Sequence, residues 1–508
     1  MTGSQRKDRK AREDTLRRHS SGIGALDDIL HGGFPAGNFY LLEGEPGTGK
    51  TTLALQFLQS GLRAGEQVLY ITLSESKHEL EMVAASHGWA EEFPILDMAP
   101  LEEAVSNEAQ YTVFHPSEVE LADTITELLK KVEEVKPVRC VIDSVSELRM
   151  LARDGLRYRR QILALKRYFA GRDCTVLLLD DRTGIGHDLQ LQSIAHGVVT
   201  LENLPRDFGV SRRRVIVRKM RGARFREGYH DFNILTGGIE VYPRLIASEH
   251  KADVPRTAVP SGLAELDDLL GGGIDTGTST LLMGPAGCGK STLAMRYVLT
   301  AAERGDFAVI YAFDETREVL LDRSKGLGID LRPHVETGKV RVEQIDPAEL
   351  SPGEFVQRVR HAAEVDNAKV VVIDSLNGLM LSMPAEKLLT IQLHELVTFL
   401  NQKGLATLLT LAQQGLMGTN MVAPVDVSYL ADSVILFRYF EALGEVRQAI
   451  SAVKKRSGAH ERTIRELSFS GGTIRVGEPL IEFDGVLTGV PKYRGAAATL
   501  EQRAKSRD

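Results

Sequence analysis

Long apolar segments and cysteines are both scarce in this chain of 508 residues. No run approaches the roughly 18 consecutive apolar residues that suggest a membrane-spanning helix, and the amino terminus lacks the apolar core of a signal peptide. The three cysteines, Cys140, Cys174 and Cys288, have no spacing typical of a metal site, and two of them fall in predicted core strands. We therefore expect a reduced, cytoplasmic protein without a membrane partner.

An excess of positive charge is also missing. The net charge is −7 and the isoelectric point is near 6.1, which argues against general binding to nucleic acid. The exception is the first twenty residues, where seven Lys/Arg stand against three Asp/Glu and apolar residues are almost absent. We expect residues 1–17 to form a disordered basic arm. A nucleic-acid role for this arm stays open, although nucleic acid is not the partner that we expect for the chain.

One phosphate-binding pattern, G-x4-G-K-[ST], occurs twice, at positions 240 residues apart. An apolar strand precedes each copy and a helical pattern follows it, which is the context that the pattern requires. The glycines let successive backbone N–H groups point at phosphate oxygens, at the positive end of the next helix. The predicted nucleotide-binding residues are Gly44-Glu45-Pro46-Gly47-Thr48-Gly49-Lys50-Thr51-Thr52 and Gly284-Pro285-Ala286-Gly287-Cys288-Gly289-Lys290-Ser291-Thr292.

Within these loops, Lys50 and Lys290 should reach the β- and γ-phosphates, and Thr51 and Ser291 should hold Mg²⁺. ATP and Mg²⁺ are thus the expected cofactors, bound at two sites in each chain. Oxidation of Cys288 could block the second loop, but we interpret this cysteine as a small space-filling residue.

Whole domains are duplicated, because similarity extends beyond the loops. Ser21-Gly22-Ile23-Gly24-Ala25-Leu26-Asp27 returns as Ser261-Gly262-Leu263-Ala264-Glu265-Leu266-Asp267 at the same offset. Strand-like runs alternate with helical patterns, which predicts the α/β class with two tandem domains and mostly parallel central sheets. The first copy has predicted strands at 68–73, 138–143, 174–180 and 214–218 and predicted helices at 50–64, 118–134 and 157–171. We expect a first domain at 18–246, a linker at 247–257, a second domain at 258–482 and a flexible tail at 483–508.

Carboxylates follow the predicted strands in both copies. Asp143 and Asp374 end apolar strands and are the expected Mg²⁺ ligands, because ligands of open α/β sheets bind beyond the carboxyl ends of the strands. Glu75, Asp314 and Glu315 also follow strands, so they should face the same crevice and accept a proton from water or a hydroxyl. We predict these three as catalytic residues. The alternative is that they belong to solvated helix caps.

A pair of cations lies late in each copy. Strand alternation places Lys219 with Arg221 on one face, and Lys454 with Arg456 on one face. Two cations that point the same way suit phosphate recognition, and their late position favours contact with a neighbouring subunit's nucleotide in a ring. An ordinary basic surface is the alternative for the first pair.

In this order and duplicated, these motifs resemble the KaiC family of RecA-like double-domain ATPases, the core component of the cyanobacterial circadian clock. The resemblance covers roughly residues 18–482 and includes Lys219-Met220-Arg221-Gly222 and Ile464-Arg465-Glu466. It implies tandem RecA-like P-loop NTPase domains in a two-tier homohexamer, with ATP at subunit interfaces. It also implies an ATPase first domain and an autokinase second domain. The residues that would contact a neighbour's ATP are Lys219 and Arg221 in the first ring, and Lys454, Arg456 and His460 in the second.

Two departures from the family pattern affect the expected chemistry. The first ring usually has paired glutamates, whereas here Ser74 replaces the first and Glu75 remains. In the second ring, Asp314 matches the family's general base, but the adjacent Ser-Thr phosphoacceptors align with Ser428 and Tyr429. We therefore expect autophosphorylation on Ser428 rather than an ordered two-site cycle.

The resemblance implies a circadian or stress-related timing role, with a KaiB-like protein as a candidate partner. Two alternatives stay open. One is a RecA/RadA-like DNA-dependent ATPase or hexameric motor. The other is an ATP-gated scaffold without catalysis.

Overall fold

The computed structural model describes residues 17–98, 116–152, 154–182, 189–250, 254–381, 386–415, 428–442, 444–470, 472–488 and 490–494. The chain divides into two compact units, Met1–Arg244 and Leu245–Asp508. Most of the predicted basic arm (1–16), part of the predicted linker (251–253) and the end of the predicted tail (495–508) lie outside the described residues.

The first unit alternates strands with helices over most of its length. Its helices are α1 (Gly24–Ile29), α2 (Lys50–Arg63), α3 (Lys77–Ser86), α4 (Pro116–Val135), α5 (Val145–Ala152), α6 (Gly155–Ala170) and α7 (Leu189–Ile194). Its strands are β1 (Arg18–His19), β2 (Phe34–Pro35), β3 (Phe39–Gly44), β4 (Val68–Thr72), β5 (Ile95–Asp97), β6 (Arg139–Asp143), β7 (Thr175–Asp180), β8 (Gly197–Leu204), β9 (Arg212–Met220), β10 (Tyr229–Leu235) and β11 (Gly238–Tyr242).

Nine of these strands form one sheet in the order β11-β10-β9-β8-β3-β7-β6-β4-β5. The strands from β8 to β5 run parallel, and β9 to β11 continue the sheet as an antiparallel meander. Alternate residues of β3 enter two separate cores: Tyr40 and Leu42 pack on one face of the sheet, and Phe39 and Leu41 on the other. A parallel sheet buried on both faces explains why the central strands are almost entirely apolar.

The second unit repeats this alternation. Its helices are α8 (Ala264–Leu269), α9 (Lys290–Glu303), α10 (Arg317–Gly326), α11 (Arg332–Glu336), α12 (Pro352–Glu364), α13 (Leu376–Leu381) and α14 (Glu386–Gln402). Its strands are β12 (Ala258–Val259), β13 (Ile274–Asp275), β14 (Thr278–Gly284), β15 (Ala308–Ala312), β16 (Val340–Gln344), β17 (Val370–Asp374), β18 (Ala406–Ala412), β19 (Ser433–Ala442), β20 (Glu445–Lys455), β21 (Arg465–Ser470), β22 (Thr473–Pro479), β23 (Phe483–Asp484) and β24 (Lys492–Tyr493).

The large sheet of the second unit has the equivalent order, β16-β15-β17-β18-β14-β19-β20-β21-β22. Even an irregularity is repeated, because the register shifts between Val198 and Val199 in β8 and between Val434 and Ile435 in β19. Two mostly parallel nine-stranded sheets confirm the predicted α/β class with tandem domains. In the described part of the chain, no helix is both long and apolar enough to cross a bilayer.

Two predicted boundary segments contain regular structure. Residues 247–249, at the start of the predicted linker, form a 3-10 turn. Ala247 is part of a core of the second unit, and its amide donates to Glu395 Oε2 at 2.8 Å. In the predicted tail, β23 pairs with β24, and the Phe483 ring packs on Phe440 at 5.7 Å. Contacts with apolar cores thus order the first residues of the predicted linker and part of the predicted flexible tail.

Candidate functional site

Each phosphate loop joins the end of a central strand to the start of a helix. Gly49 and Gly289 precede α2 and α9 with φ angles of 98° and 96°, in the left-handed region that favours glycine. A Cβ at Gly49 would lie 2.8 Å from Ile234 Cδ1, and one at Gly289 would lie 2.3 Å from Phe469 Cζ. A side chain at either position would clash with these neighbours, so glycine is needed where each loop joins its helix. The amino terminus of that helix attracts anions.

The two loop lysines are buried and folded back onto their own loops. Lys50 Nζ lies 2.9 Å from the carbonyl oxygen of Gly44, and Lys290 Nζ lies 3.1 Å from that of Gly284. A phosphate group in the loop could take the place of these carbonyl oxygens as the partner of the ammonium groups. The structure thus holds both lysines close to the positions in which the sequence predicts phosphate binding.

The other loop residues divide into exposed tips and buried walls. The tips are Glu45, Pro46 and Gly47 in the first loop, and Ala286 and Gly287 in the second. The buried members are Gly44, Thr48, Thr52, Gly284, Pro285, Cys288 and Thr292. Burial raises the pKa of the Cys288 thiol, which agrees with its interpretation as a space-filling residue. The second loop lines a cavity of about 510 Å³.

A hydroxyl and a carboxylate meet beside each loop. Thr51 Oγ1 lies 3.3 Å from Asp143 Oδ2 at the end of β6, and Ser291 lies beside Asp374 at the end of β17. Burial raises the pKa of both aspartates. Among the described residues, no group of three or more His, Cys, Asp or Glu could hold a metal ion alone. One carboxylate and one hydroxyl nevertheless fit a hard divalent cation that completes its shell with phosphate oxygens and water.

Each of these aspartates also accepts a hydrogen bond that the sequence interpretation missed. The Tyr70 hydroxyl in β4 donates to Asp143 Oδ2, and Thr410 Oγ1 in β18 donates to Asp374 Oδ1, both at 2.5 Å. Burial and the nearby Asp143 raise the pKa of Tyr70 well above its usual value, so its hydroxyl stays protonated as a donor. The donors come from opposite neighbouring strands, which shows that the two copies orient the same carboxylate by different means.

The predicted catalytic carboxylates have unlike surroundings in the two units. In the second unit, Ser375 Oγ donates to Asp314 Oδ2 at 2.5 Å. In the first unit, Ser74 occupies the place of that aspartate, and the corresponding Ser144 Oγ is buried with no hydrogen-bond partner among the described residues. Glu75 Oε2 is likewise buried and unpartnered there. Burial, then the nearby Asp143, raises the pKa of Glu75.

A further carboxylate, Asp181, reaches the first phosphate loop. Its Oδ1 lies 2.9 Å from Lys50 Nζ. Asp181 follows β7 directly, so the rule that selected other carboxylates at strand ends could have selected this one as well. The residue after the equivalent β18 is Gln413, whose side-chain oxygen accepts a hydrogen bond from Arg438. Among the described residues, an ion pair to the loop lysine is therefore found in the first unit and not in the second.

The late cations contact backbone carbonyls in both copies. Lys219 Nζ donates to Gln192 O at 2.6 Å, and Arg221 Nη2 donates to Ser193 O at 2.7 Å. These two cations therefore share one face, where they hold the end of α7. Burial, then the nearby Arg221, lowers the pKa of Lys219.

The second copy has the same arrangement around the predicted phosphoacceptor. Lys454 Nζ donates to Ser428 O at 2.8 Å, and Arg456 Nη2 donates to Tyr429 O at 2.9 Å. His460 follows this pair, and its Nε2 is buried without a hydrogen-bond partner in the part of the chain that the structure describes. Ser428 thus lies with Lys454 and Arg456 on one part of the surface.

The fold and the two loops together define a tandem P-loop NTPase. A family model for the KaiC ATPase matches residues 19–246 and again 259–481, and the chain belongs to this family. The chain is 26% identical over 502 residues to the circadian clock protein KaiC3 of Synechocystis sp., with 94% of this chain and 95% of that protein covered. It is 26% identical over 491 residues to the circadian clock oscillator protein KaiC of Parathermosynechococcus lividus, with coverages of 94% and 88%. For the KaiC of Acaryochloris marina the identity is 25% over 482 residues, with coverages of 92% and 90%.

Membership of this ATPase family makes the chain an ATP-binding protein whose nucleotide is accompanied by a divalent metal ion.

Proposed function

We propose that this chain hydrolyses ATP in its first unit and phosphorylates itself on Ser428 through its second unit. The observation that carries the proposal is the difference between the carboxylates beside two equivalent loops. The first unit presents Glu75 with a buried oxygen that has no hydrogen-bond partner among the described residues, and the second presents Asp314 paired with a serine hydroxyl. Because the two units share a fold but place different carboxylates beside the nucleotide, they are suited to two different reactions of ATP.

In the first unit, Glu75 is the proposed general base for hydrolysis. Water forms a bond to the γ-phosphorus, the bond from that phosphorus to the β–γ bridging oxygen breaks, and ADP leaves. The proton lost by the water passes to Glu75. The raised pKa of this carboxyl makes its ionised form a better proton acceptor than an ordinary glutamate.

In the second unit, the Ser428 hydroxyl is the proposed nucleophile and Asp314 the base. The serine oxygen bonds to the γ-phosphorus, ADP leaves, and the hydroxyl proton passes to Asp314. Lys454 donates to the carbonyl of Ser428, so the acceptor segment lies beside a predicted trans cation. This proximity supports transfer from the nucleotide of a neighbouring subunit.

The proposed assembly is a two-tier homohexamer with ATP at its subunit interfaces. We propose Mg²⁺ as the divalent ion, held by Thr51 with Asp143 and by Ser291 with Asp374, where it would neutralise charge on the β- and γ-phosphates. The names of the relatives support a circadian timing role. A stress-related role, a cytoplasmic location and a KaiB-like partner are further parts of this proposal.

Phosphate mapping tests the kinase half of the proposal. After incubation with Mg-ATP, mass spectrometry should find phosphate on Ser428 of the wild type and none in Ser428→Ala. Asp314→Asn should phosphorylate at least about 100-fold more slowly, because the amide cannot accept the proton. Tyr429→Phe is the matched control and should leave the reaction unchanged.

Undiminished phosphorylation of Ser428→Ala would move the acceptor elsewhere. If the wild type carries no phosphate, the kinase half of the proposal is wrong and only the proposed ATP hydrolysis remains. Turnover that requires single-stranded DNA would favour the DNA-dependent motor, and ring assembly without turnover would favour the scaffold.

Asp181→Asn should tighten ATP binding at the first site by about three- to tenfold. The ion pair with Lys50 competes with the phosphates for the ammonium group, and the carboxylate also repels them. Titration with a non-hydrolysable ATP analogue measures this change.

Asp173→Asn is the matched control, since it removes the same charge from an exposed position paired with Arg17. Weaker binding in Asp181→Asn would mean that Asp181 assists the metal ion instead of restraining the lysine.

A further inference from the structure

Arg323 joins the second nucleotide site from α10. Its Nη2 lies 2.5 Å from Glu315 Oε1 and its Nε lies 3.2 Å from Glu315 Oε2, which makes a two-point ion pair. Its Nη1 lies 3.4 Å from Thr292 Oγ1 in the phosphate loop. All three residues line the cavity of about 510 Å³. The predicted catalytic Glu315 is therefore fixed by a cation that no local motif indicates.

Among the described residues of the first unit, no cation takes the equivalent position. Helices α3 and α10 begin after the capping residues Ser76 and Thr316, which lie 240 residues apart. At the same offset, the position of Arg323 is taken by Val83, which packs on the apolar core. The ion pair therefore distinguishes two sites whose loops and strands are otherwise repeated.

The negative charge around the second loop makes the presence of Arg323 important for nucleotide binding. Asp314, Glu315 and Asp374 all stand near the second loop, and ATP would bring several further negative charges. Glu315 raises the pKa of Asp374, after the larger effects of burial and hydrogen bonding, whereas Arg323 lowers it. Two parallel hydrogen bonds in an arginine–carboxylate pair fix geometry as well as charge. Without Arg323, Glu315 would face the phosphates uncompensated.

We infer that Arg323 is a positioning residue of the second site, which withdraws Glu315 from the phosphate path and leaves Asp314 as the carboxylate available for proton transfer. This inference rests on the proposed function, since it requires that the second unit binds ATP. Arg323 acts through Glu315, so removing both members of the pair should do less harm than removing the arginine alone.

The first test is the binding of AMP-PNP with Mg²⁺ to the full-length chain by equilibrium dialysis. Arg323→Met keeps the length of the side chain and removes its charge. It should weaken one of two sites by about 10- to 100-fold, the range of a charge-assisted interaction, and leave the other unchanged. Lys290→Ala identifies the affected site, because it should abolish the same one.

Arg332→Met is the matched control. Arg332 likewise forms ion pairs, but with two carboxylates, at 3.0 Å from Glu318 and 2.7 Å from Asp322, and its side chain is 35% exposed against 34% for Arg323. It does not line the cavity, so its loss should leave both affinities at the wild-type value. A loss equal to that of Arg323→Met would overturn the inference, because breaking any ion pair of α10 would then weaken nucleotide binding as much as freeing Glu315.

The double variant Arg323→Met with Glu315→Gln separates positioning from a general structural effect. A neutral glutamine needs no cation, so affinity should return to within about threefold of the wild type. Glu315→Gln alone should bind at least as tightly as the wild type, and this result can be read even if Arg323→Met does not fold. A double variant as weak as Arg323→Met would overturn the inference.

Failure of the inference and failure of the proposed function give different results. If the wild type binds no more AMP-PNP per chain than Lys290→Ala does, the proposed function fails at its second site. If it binds two and Arg323→Met binds both with unchanged affinity, the proposed function stands and the role of Arg323 is wrong.

Discussion

Glu75→Gln should lower ATP hydrolysis by the first unit by about 10²–10⁴-fold and leave ATP binding intact. The change keeps the size of the side chain and removes its ability to accept a proton. In the first unit, Ser74 stands where the second unit has Asp314, and Glu75 Oε2 is buried without a partner among the described residues. The loss corresponds to about 3–5 kcal/mol of transition-state stabilisation. Phosphate release from a full-length chain carrying Asp314→Asn reports the first unit with the second silenced.

Glu79→Gln is the control for this prediction. Glu79 lies four residues after Glu75, in the first turn of α3, and its carboxylate accepts a hydrogen bond from the Ser76 amide that precedes this helix. Its loss perturbs the helix cap and should leave turnover within about twofold, since a cap contributes only about 1 kcal/mol to stability. Full activity in Glu75→Gln would mean that another group orients the attacking water.

The pH dependence of kcat/KM gives an independent readout of the same residue, because it reports the base in the free enzyme. Only the ionised carboxylate accepts a proton, so activity falls as the pH drops through the pKa of Glu75. That pKa is raised above the ordinary 4.5 by burial and by Asp143. The acid limb should therefore lie above pH 4.5 and disappear in Glu75→Gln. A wild-type limb at or below that pH would contradict the assignment.

Local patterns were sufficient to predict the fold class and to select the residues around each loop. Asp143 and Asp374 illustrate why: a carboxylate at the end of an apolar parallel strand lies at the edge where the phosphate loops lie. The order of the nine strands was not predicted, because the alternation of strands and helices does not determine which strands are neighbours. The nucleotide-binding roles of these residues stay predictions.

Contacts that depend on register and helix packing could not be predicted in this way. Tyr70 and Thr410 reach their aspartates from neighbouring strands, and this depends on which residues pair across the sheet. Arg323 lies inside α10, where only the packing of the helix decides that it meets Glu315. Asp181 is different, because its position after a strand was an available signal. The hydrophobic periodicity of one helix or strand does not indicate which residues of neighbouring elements its side chains will contact.

Arg221→Ala should reduce hydrolysis in assembled rings by about 10³–10⁵-fold, which is the effect of an arginine supplied to a phosphoryl-transfer site by a neighbouring subunit. In one chain, Arg221 is exposed and donates to Ser193 O at 2.7 Å. That contact fixes its direction but does not neutralise its charge, so the cation stays available to the γ-phosphate of a neighbour. Turnover per chain is compared after size-exclusion chromatography has confirmed that the variant still assembles with ATP.

Arg218→Ala is the matched control, because Arg218 lies in β9, three residues before Arg221, and pairs with Glu202 instead of the end of α7. It should change turnover by less than about threefold, as expected for a partly exposed ion pair.

Mixed rings test directly whether Arg221 acts on the nucleotide of a neighbouring subunit. An Arg221→Ala subunit retains its loop and a Lys50→Ala subunit retains its arginine, so an interface that combines the two intact parts should regain activity. If mixed rings stay inactive, or if Arg221→Ala alone keeps full turnover, the late cations serve to hold helix α7 within their own chain.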